Sequence, residues 1–304
     1  MGALGAATAS AAAAGEVLVF SFFRNNGEDG LYLAASEDGL KWTPLHGDQP
    51  LLRPEVGESK LMRDPSIARG PDGTFHMVWT TAWKGKTIGH ASSKDLIHWS
   101  AQQAIDVMGH EPGVENCWAP ELFYERPRRE FVIVWASTIE GRFPETAGKG
   151  NRNLNHRLYA VRTKNFQKFT PTQLFYDPGF MVIDAAIFQQ AGQYVMTVKN
   201  ETLTPPAKYV FVTSAPSLAG PWTKPGPSIT GEEWAEGPSP VEIDGYWYVY
   251  FDRYRQKKYG AVRSRDLVSW EDVSERVSMP AGVRHGTVFR APAKVVDLLR
   301  RSGK

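Results

Sequence analysis

Five copies of one turn phrase, a second phrase ahead of the last four, and an abundance of strand-forming aromatics predict an all-β chain folded as a five-bladed β-propeller. The first phrase is a small residue, a Ser or Thr, a polar turn and then an aromatic. It runs Ala35-Ser36-Glu37-Asp38-Gly39 to Trp42, Ala91-Ser92-Ser93-Lys94-Asp95 to Trp99, and Val161-Arg162-Thr163-Lys164-Asn165 to Phe169. It returns as Thr213-Ser214-Ala215-Pro216 to Trp222 and as Val262-Arg263-Ser264-Arg265-Asp266 to Trp270. The closing aromatics stand 57, 70, 53 and 48 residues apart, and each copy reads as strand, turn, strand.

The second phrase is a short strand of small residues, a turn, and an apolar aromatic strand. Asp64-Pro65-Ser66-Ile67 leads to Phe75–Thr80, and Ala119-Pro120-Glu121-Leu122 to Phe131–Ser137. Asp184-Ala185-Ala186-Ile187 leads to Tyr194–Val198, and Glu236-Gly237-Pro238-Ser239 to Tyr246–Phe251. Joined, the phrases give four antiparallel strands per unit, which is one blade. The first unit lacks its inner strand, since Val17–Phe23 already reads as a second strand. Arg284-His285-Gly286-Thr287-Val288-Phe289 reads as an inner strand with nothing after it. Pairing of this C-terminal strand with the N-terminal blade closes the ring and removes an open edge. With 21 Pro and 28 Gly spread along the chain, no long amphipathic helix is predicted.

The 304 residues thus divide into an Ala-rich tail or signal remnant at 1–15, one propeller domain at 16–293, and a C-terminal tail at 294–304. Ten Trp, 11 Tyr and 15 Phe serve strands and core, and the same flat rings suit the C–H faces of sugars. A net charge of +2 from interspersed charges gives no footprint for nucleic acid or an acidic membrane. The single Cys117 excludes an internal disulfide framework and a Cys-rich metal site. Residues 1–15 are too weakly apolar to span a membrane and lack the basic start and long apolar core of a signal peptide. They read as the remnant of a trimmed export signal or as a disordered tail, and a secreted or periplasmic location is favoured over a cytoplasmic one.

In a propeller the inner strands begin around one mouth, where the loops after each second strand also emerge. The inner-strand starts carry Asp64, Trp118, Asp184, Glu236 and His285. The loops add Arg24-Asn25-Asn26, Trp83-Lys84, Lys199-Asn200-Glu201 and Arg253-Tyr254. A long insertion in the third unit, Thr138 to His156, is expected to wall or cover the mouth. Three carboxyl groups at equivalent positions cannot all ionise alike, so one can donate a proton while another acts as base. Glycoside hydrolysis requires that division of labour.

Arg63-Asp64-Pro65-Ser66, Cys117-Trp118-Ala119-Pro120-Glu121, Val182-Ile183-Asp184-Ala185 and Ala235-Glu236-Gly237-Pro238 resemble, in order, the inner-strand motifs of glycoside hydrolase family 43. The resemblance runs over about 17–292. It implies an inverting enzyme on a five-bladed propeller, chiefly an arabinofuranosidase, with xylosidases, arabinanases and galactan- or galactofuranose-active enzymes as alternatives. By that similarity Asp64 is the general base, Glu236 the general acid, and Asp184 the group that raises and orients the acid. Trp118 borders the terminal-sugar subsite, and Arg284 contacts sugar hydroxyls or holds a carboxylate. Trp83, Asn200, Arg253 and Tyr254 are the substrate-binding candidates on the mouth loops. Glu121 is expected to lie below the pocket. His285 matches an inner-strand histidine near a structural calcium or sodium ion, and no cofactor is otherwise required. A carbohydrate is the expected partner, with arabinofuranose first, xylose or galactofuranose next, and exo action favoured by the wall and the mouth aromatics.

A retaining fructan hydrolase would carry Asn-Asp-Pro-Asn and Glu-Cys phrases, and neither occurs. A mannoside phosphorylase would need a basic phosphate cradle. A non-catalytic carbohydrate-binding propeller would have lost one of the three carboxylates, and all three are present.

Overall fold

A computed structural model describes residues 15–303; the rest of the expected N-terminal tail lies outside the described residues. Strands β1 (Glu16–Phe23), β2 (Tyr32–Ser36) and β3 (Thr43–Pro44) open the chain. The second blade is β4 (Arg63–Arg69), β5 (Phe75–Thr80), β6 (Thr87–Ser93) and β7 (Gln103–Asp106). The third is β8 (Trp118–Glu125), β9 (Glu130–Ser137), β10 (Arg157–Thr163) and β11 (Gln173–Tyr176). The fourth has three strands, β12 (Val182–Gln190), β13 (Gln193–Asn200) and β14 (Val210–Ala215). The fifth is β15 (Glu236–Ile243), β16 (Tyr246–Arg253), β17 (Lys258–Ser264) and β18 (Glu271–Asp272). Finally β19 (Arg284–Pro292) pairs antiparallel with β1, so the first blade has the order β19-β1-β2-β3. The chain is the five-bladed propeller the repeats predict, closed by its own C-terminal strand.

The turn phrase recurs because its polar residues satisfy the turn's backbone. Asp38 Oδ1 accepts from the Leu40 and Lys41 amides, and Asp95 Oδ1 from those of Ile97 and His98. Asn165 and Asp266 do the same two and three residues on. The preceding Ser or Thr oxygen accepts the amide three residues later, as Ser93 does from Leu96 and Thr163 from Phe166. These are side-chain-built turns that leave no orphan donors. The fourth copy has no Asp, and its expected outer strand does not form. The segment after Trp222 still donates from Gly226 to Val212 O and from Ile229 to Val210 O. Pro225 and Pro227 have no N–H to complete a ladder, so a fourth strand fails there.

Apolar clusters fill each gap between neighbouring blades, with Trp79, Trp135 and Tyr250 among the largest fully buried side chains. Near the axis, hydroxyls tie adjacent inner strands: Leu122 N donates to Ser66 Oγ at 3.0 Å, and Val288 N to Ser239 Oγ at 2.7 Å. The expected tail at 294–304 requires a correction. Ala293–Ser302 is a helix, α1, whose Val295, Val296 and Leu299 seal the cluster between the first two blades. Arg300 and Arg301 lie in its last turn, where cations complement the helix dipole. Among the described residues no helix is long and apolar enough to cross a membrane.

Between the second and third blades, His76 and His90 stack on Phe166 at 4.2 and 4.0 Å between ring centroids. Burial pushes His76 down to about 4 and His90 down to about 3, so both are neutral in the folded protein. The unfolded chain takes up protons below about 6.5 while the folded one does not. Stability is therefore complete above 6.5 and falls as pH drops towards 4. For His90 alone this is of the order of 3 kcal/mol at pH 4. His90→Phe is expected to flatten the decline of urea-unfolding free energy between pH 7 and 4; an unchanged slope would refute the assignment.

Candidate active site

Every inner strand enters the ring through the same irregularity. Arg63 faces Thr80 but Ser66 faces Val78, so one extra residue is accommodated. The same slip occurs at Trp118 to Glu121, Ile183 to Ala186, and Glu236 to Ser239. The residue after the first is left-handed in each: φ is 51° at Asp64, 47° at Ala119, 52° at Asp184 and 61° at Gly237. Such bulges re-aim side chains, and Asp and Gly tolerate this backbone best. On β19 the slip begins at Arg284, so His285 holds the matching place.

This register corrects the expectation of three equivalent carboxylates. Asp64, Asp184 and His285 share one position, whereas Glu236 stands one residue earlier, in the rank of Arg63, Trp118, Ile183 and Arg284. A Cβ at Gly237 would come within 2.5 Å of the His285 ring. The left-handed glycine therefore makes room for the histidine, while Glu236 occupies the rim beside it.

His285 binds the two aspartates together. Its Nδ1 lies 3.3 Å from Asp64 Oδ1 and 3.8 Å from Asp184 Oδ2. Burial would lower the imidazole, but Asp184 and Asp64 overcome it and raise His285 to about 9. Burial would likewise raise Asp64; the hydrogen bond and charge of His285, then Arg63 and the Thr80 hydroxyl at 2.8 Å, hold it at about 2. For Asp184 burial wins, and despite His285 and Lys199 it is pushed up to about 6, helped by Glu236 and Asp64. Its Oδ2 accepts the Gly237 amide at 3.0 Å.

Glu236 receives Lys199 Nζ at 3.0 Å on Oε2 and Arg284 Nη2 at 3.2 Å on Oε1. Arg284 Nε also donates to Asp252 Oδ2 at 2.6 Å. Burial, then Glu236, raise Asp252 to about 6. Glu236 remains the most exposed of the three predicted carboxylates, its side chain 22% accessible against 6% for Asp184. The four carboxyls stand among His285, Lys199 and Arg284, with Arg63 acting on Asp64. Burial raises Asp184 and Asp252 to about 6 while Asp64 stays ionised, so the carboxyls of one cluster differ in their hold on a proton. A fixed base and a retained proton around one opening suit cleavage of a bond that needs both.

The remaining predicted residues separate into those at this cluster and those away from it. Trp118 borders it: its Nε1 donates to Trp83 O at 2.9 Å, and its ring stands edge-on to Trp83 at 5.5 Å. Trp83 is 49% exposed and carries the Arg63 guanidinium 4.2 Å over its ring. Tyr254 lies under the Lys199 ammonium, 4.8 Å from the ring centroid. Arg253 is not brought in, because strand alternation turns Asp252 inward and Arg253 outward. Its Nη2 donates to Asp272 at 2.8 Å, and its Nε sits 3.0 Å from Glu233. Asn200 is buried, its oxygen accepting the Thr202 amide as a turn brace. Glu121 lies one layer deeper, bonded by the Ser66 hydroxyl at 2.8 Å, and burial raises it to about 7. Among the described residues no three His, Cys, Asp or Glu side chains are grouped to hold a metal. His285 Nδ1 faces Asp64 and Asp184.

The insertion from Thr138 to His156 is fastened as a wall. Arg157, fully buried, donates from Nε to Asp177 at 2.5 Å and from Nη2 to Thr146 at 3.0 Å, with Phe143 under its guanidinium. Lys149 O accepts the Leu203 and Thr204 amides of the fourth blade. At its end His156 is buried against Trp118, 4.9 Å between rings, and burial lowers it to about 4.

Thr80, Asp252 and His156 are site residues not singled out from the sequence, and Lys199, placed from the sequence among the mouth loops, is not paired there with Glu236. Thr80, Lys199 and Asp252 are equivalent: each lies at or one residue before the end of a second strand, opposite the first residue of an inner-strand bulge. Counting back across the hairpin turns would have found them.

Fold and site together define a five-bladed propeller with a carboxylate-lined mouth. Residues 16–297 match the family described as "Probable glycosyl hydrolase domain", related to glycoside hydrolase family 43, and the chain belongs to that family. It is 22% identical over 231 residues to an α-L-arabinofuranosidase of Bifidobacterium longum subsp. longum, which covers 67% of this chain and 22% of the relative. The chain thus spans about a fifth of that curated relative's length. Among solved structures, an α-L-arabinofuranosidase from Lactobacillus brevis aligns with a TM-score of 0.50 at 18% identity, over 69% of this chain and 72% of that one. The family 43 protein BlXynB from Bacillus licheniformis gives 0.53 at 20% identity, over 69% and 41%. An exo-β-1,3-galactanase from Phanerochaete chrysosporium gives 0.54 at 13% identity, over 69% and 49%. These likenesses concern the fold.

Proposed function

We propose that the protein is an inverting, exo-acting glycoside hydrolase that releases a terminal α-L-arabinofuranose. The observation that carries the reading is the arrangement of the cluster: Asp64 and Asp184 flank His285 at 3.3 and 3.8 Å, Glu236 stands on the rim between Lys199 and Arg284, and Asp64 is held at about 2 while burial pushes Asp184 up to about 6. Asp64 takes a proton from water as that water attacks the anomeric carbon. Glu236 gives its proton to the glycosidic oxygen, which keeps the electron pair of the breaking C–O bond. Asp184 and Asp252, raised by burial and by the neighbouring Glu236, are the carboxyls that keep a proton within the cluster. The fastened wall and the rings of Trp118, Trp83 and Tyr254 favour a chain end over a chain middle. Arabinofuranose is chosen on the curated relative's activity.

A panel of nitrophenyl furanosides and pyranosides tests the substrate, with the arabinofuranoside expected to give the highest kcat/KM. A xyloside or galactofuranoside turned over faster would move the assignment to that sugar. Proton NMR of the first-formed anomer should show inversion, unaltered by added phosphate. A retained anomer, or a sugar phosphate, would overturn the mechanism.

A further inference from the structure

We propose that Lys199 is a positioning residue for the general acid: its buried ammonium, shared between Glu236 and Glu201, stabilises the carboxylate that forms on Glu236 as the proton leaves. The proposal rests on the reading of Glu236 as acid. Lys199 is the penultimate residue of β13, its side chain 2% exposed, and hydrogen-bonds Glu236 Oε2 at 3.0 Å while lying 2.8 Å from Glu201 Oε2. Burial works against its charge, but Glu201, Glu236, Tyr254 and Asp184 outweigh it and hold the ammonium protonated. Glu201 is itself anchored by Lys208, whose Nζ bonds both its carboxylate and its backbone oxygen.

A cation touching a general acid opposes protonation of the resting group, yet it favours the same group after the proton has gone. In a site shielded from water that charge is placed where negative charge develops, which is the most effective form of electrostatic assistance. The ammonium need not move to allow the protonated state, because Glu201 keeps it partnered throughout. The step balances: the proton passes from Glu236 to the leaving oxygen, the C–O bond breaks with its electrons on that oxygen, and the charge left on Glu236 meets Lys199 and Arg284. Around this pair stand Asp184 on β12, Asp252 on β16, Tyr254 beyond it, and Arg284 and His285 on β19. None of the carboxylates among them contacts Lys199 as Glu201 does, so Glu201 is the specific counterweight.

Lys199→Met and Glu201→Gln should therefore move the alkaline limb of kcat/KM in opposite directions. Without the cation the limb rises by about one pH unit or more. With Glu201 neutralised, Lys199 and Lys208 act on Glu236 alone and the limb falls. In Lys199→Met the rate with a sugar or alkyl leaving group should drop by roughly 10²-fold, and with a dinitrophenyl leaving group, which needs no proton, by less than about fivefold. Lys199→Arg should recover most of the loss. Equal losses for all leaving groups with unmoved limbs, or both variants moving the limb the same way, would overturn the proposal. Should Lys199→Met fail to fold, Glu201→Gln still reads the coupling. If the wild type turns over no glycoside, the functional reading fails by itself, and carbon-13 NMR titration of the Glu236 carboxyl decides the pairing. A rise in Lys199→Met supports it, and an unmoved titration refutes it.

Discussion

Replacing Asp64 with Ala is expected to lower kcat/KM by roughly 10²–10⁴-fold, the range for loss of a positioned acid or base, while the propeller stays folded. The activity loss follows from the water having no other ionised acceptor at that position. Asp184 is the matching residue across His285, but burial keeps it near 6, and its oxygen is occupied by the Gly237 amide. The fold should survive because the third blade places an alanine at the corresponding bulge position: Ala119 adopts φ 47° where Asp64 adopts 51°. His285 keeps Asp184 as a partner, so its positive charge is not abandoned. Azide, a nucleophile that needs no base, should restore turnover and give a glycosyl azide of inverted configuration. Turnover within tenfold of wild type, or an azide product of retained configuration, would remove Asp64 from the role of base. Thermal unfolding within a few degrees of wild type separates lost chemistry from lost structure.

Much of this site was legible because its chemistry is carried by residues that also punctuate the repeat. The turn phrase marks blades since Asp38, Asp95, Asn165 and Asp266 each cap backbone amides, which fixes them in sequence as well as in space. The inner-strand starts were legible for a similar reason, because a left-handed bulge favours Asp and Gly. What the repeat could not convey was the one-residue offset of Glu236, which depends on where each bulge begins. Asp252, and the pairing of Lys199 with Glu236, stay hidden in the sequence because both arise from pairing across a hairpin. Arg253 was chosen over its neighbour since loop position alone does not say which way a strand end turns. The helix α1 was missed because ten residues of mixed apolar and charged character look like a tail until the groove between the first two blades is there to receive Val295, Val296 and Leu299. Arg157 reads as an ordinary strand residue, yet it fastens an insertion whose contacts span two blades.

Glu236→Gln should cost as much as the loss of Asp64 for natural linkages, by roughly 10²–10⁴-fold, but the loss should depend on what leaves. The amide fits the same space, and its oxygen can still accept from Lys199 or Arg284, so ground-state binding and KM should change little. It has no proton to give. A sugar alkoxide leaves poorly unprotonated, whereas dinitrophenolate leaves readily, so the second substrate should retain most of its rate. The alkaline limb of the pH–rate profile should vanish with the group that produces it, and removing one carboxyl from the cluster should lower Asp184 and Asp252, since Glu236 raises both. This pattern differs from that of Lys199→Met, which keeps the limb and displaces it upward. It also differs from Asp64→Ala, which should slow both substrates wherever water attack limits turnover. A Glu236→Gln enzyme that loses the two leaving groups equally would place the proton donor elsewhere, with Asp184 the next carboxyl to substitute.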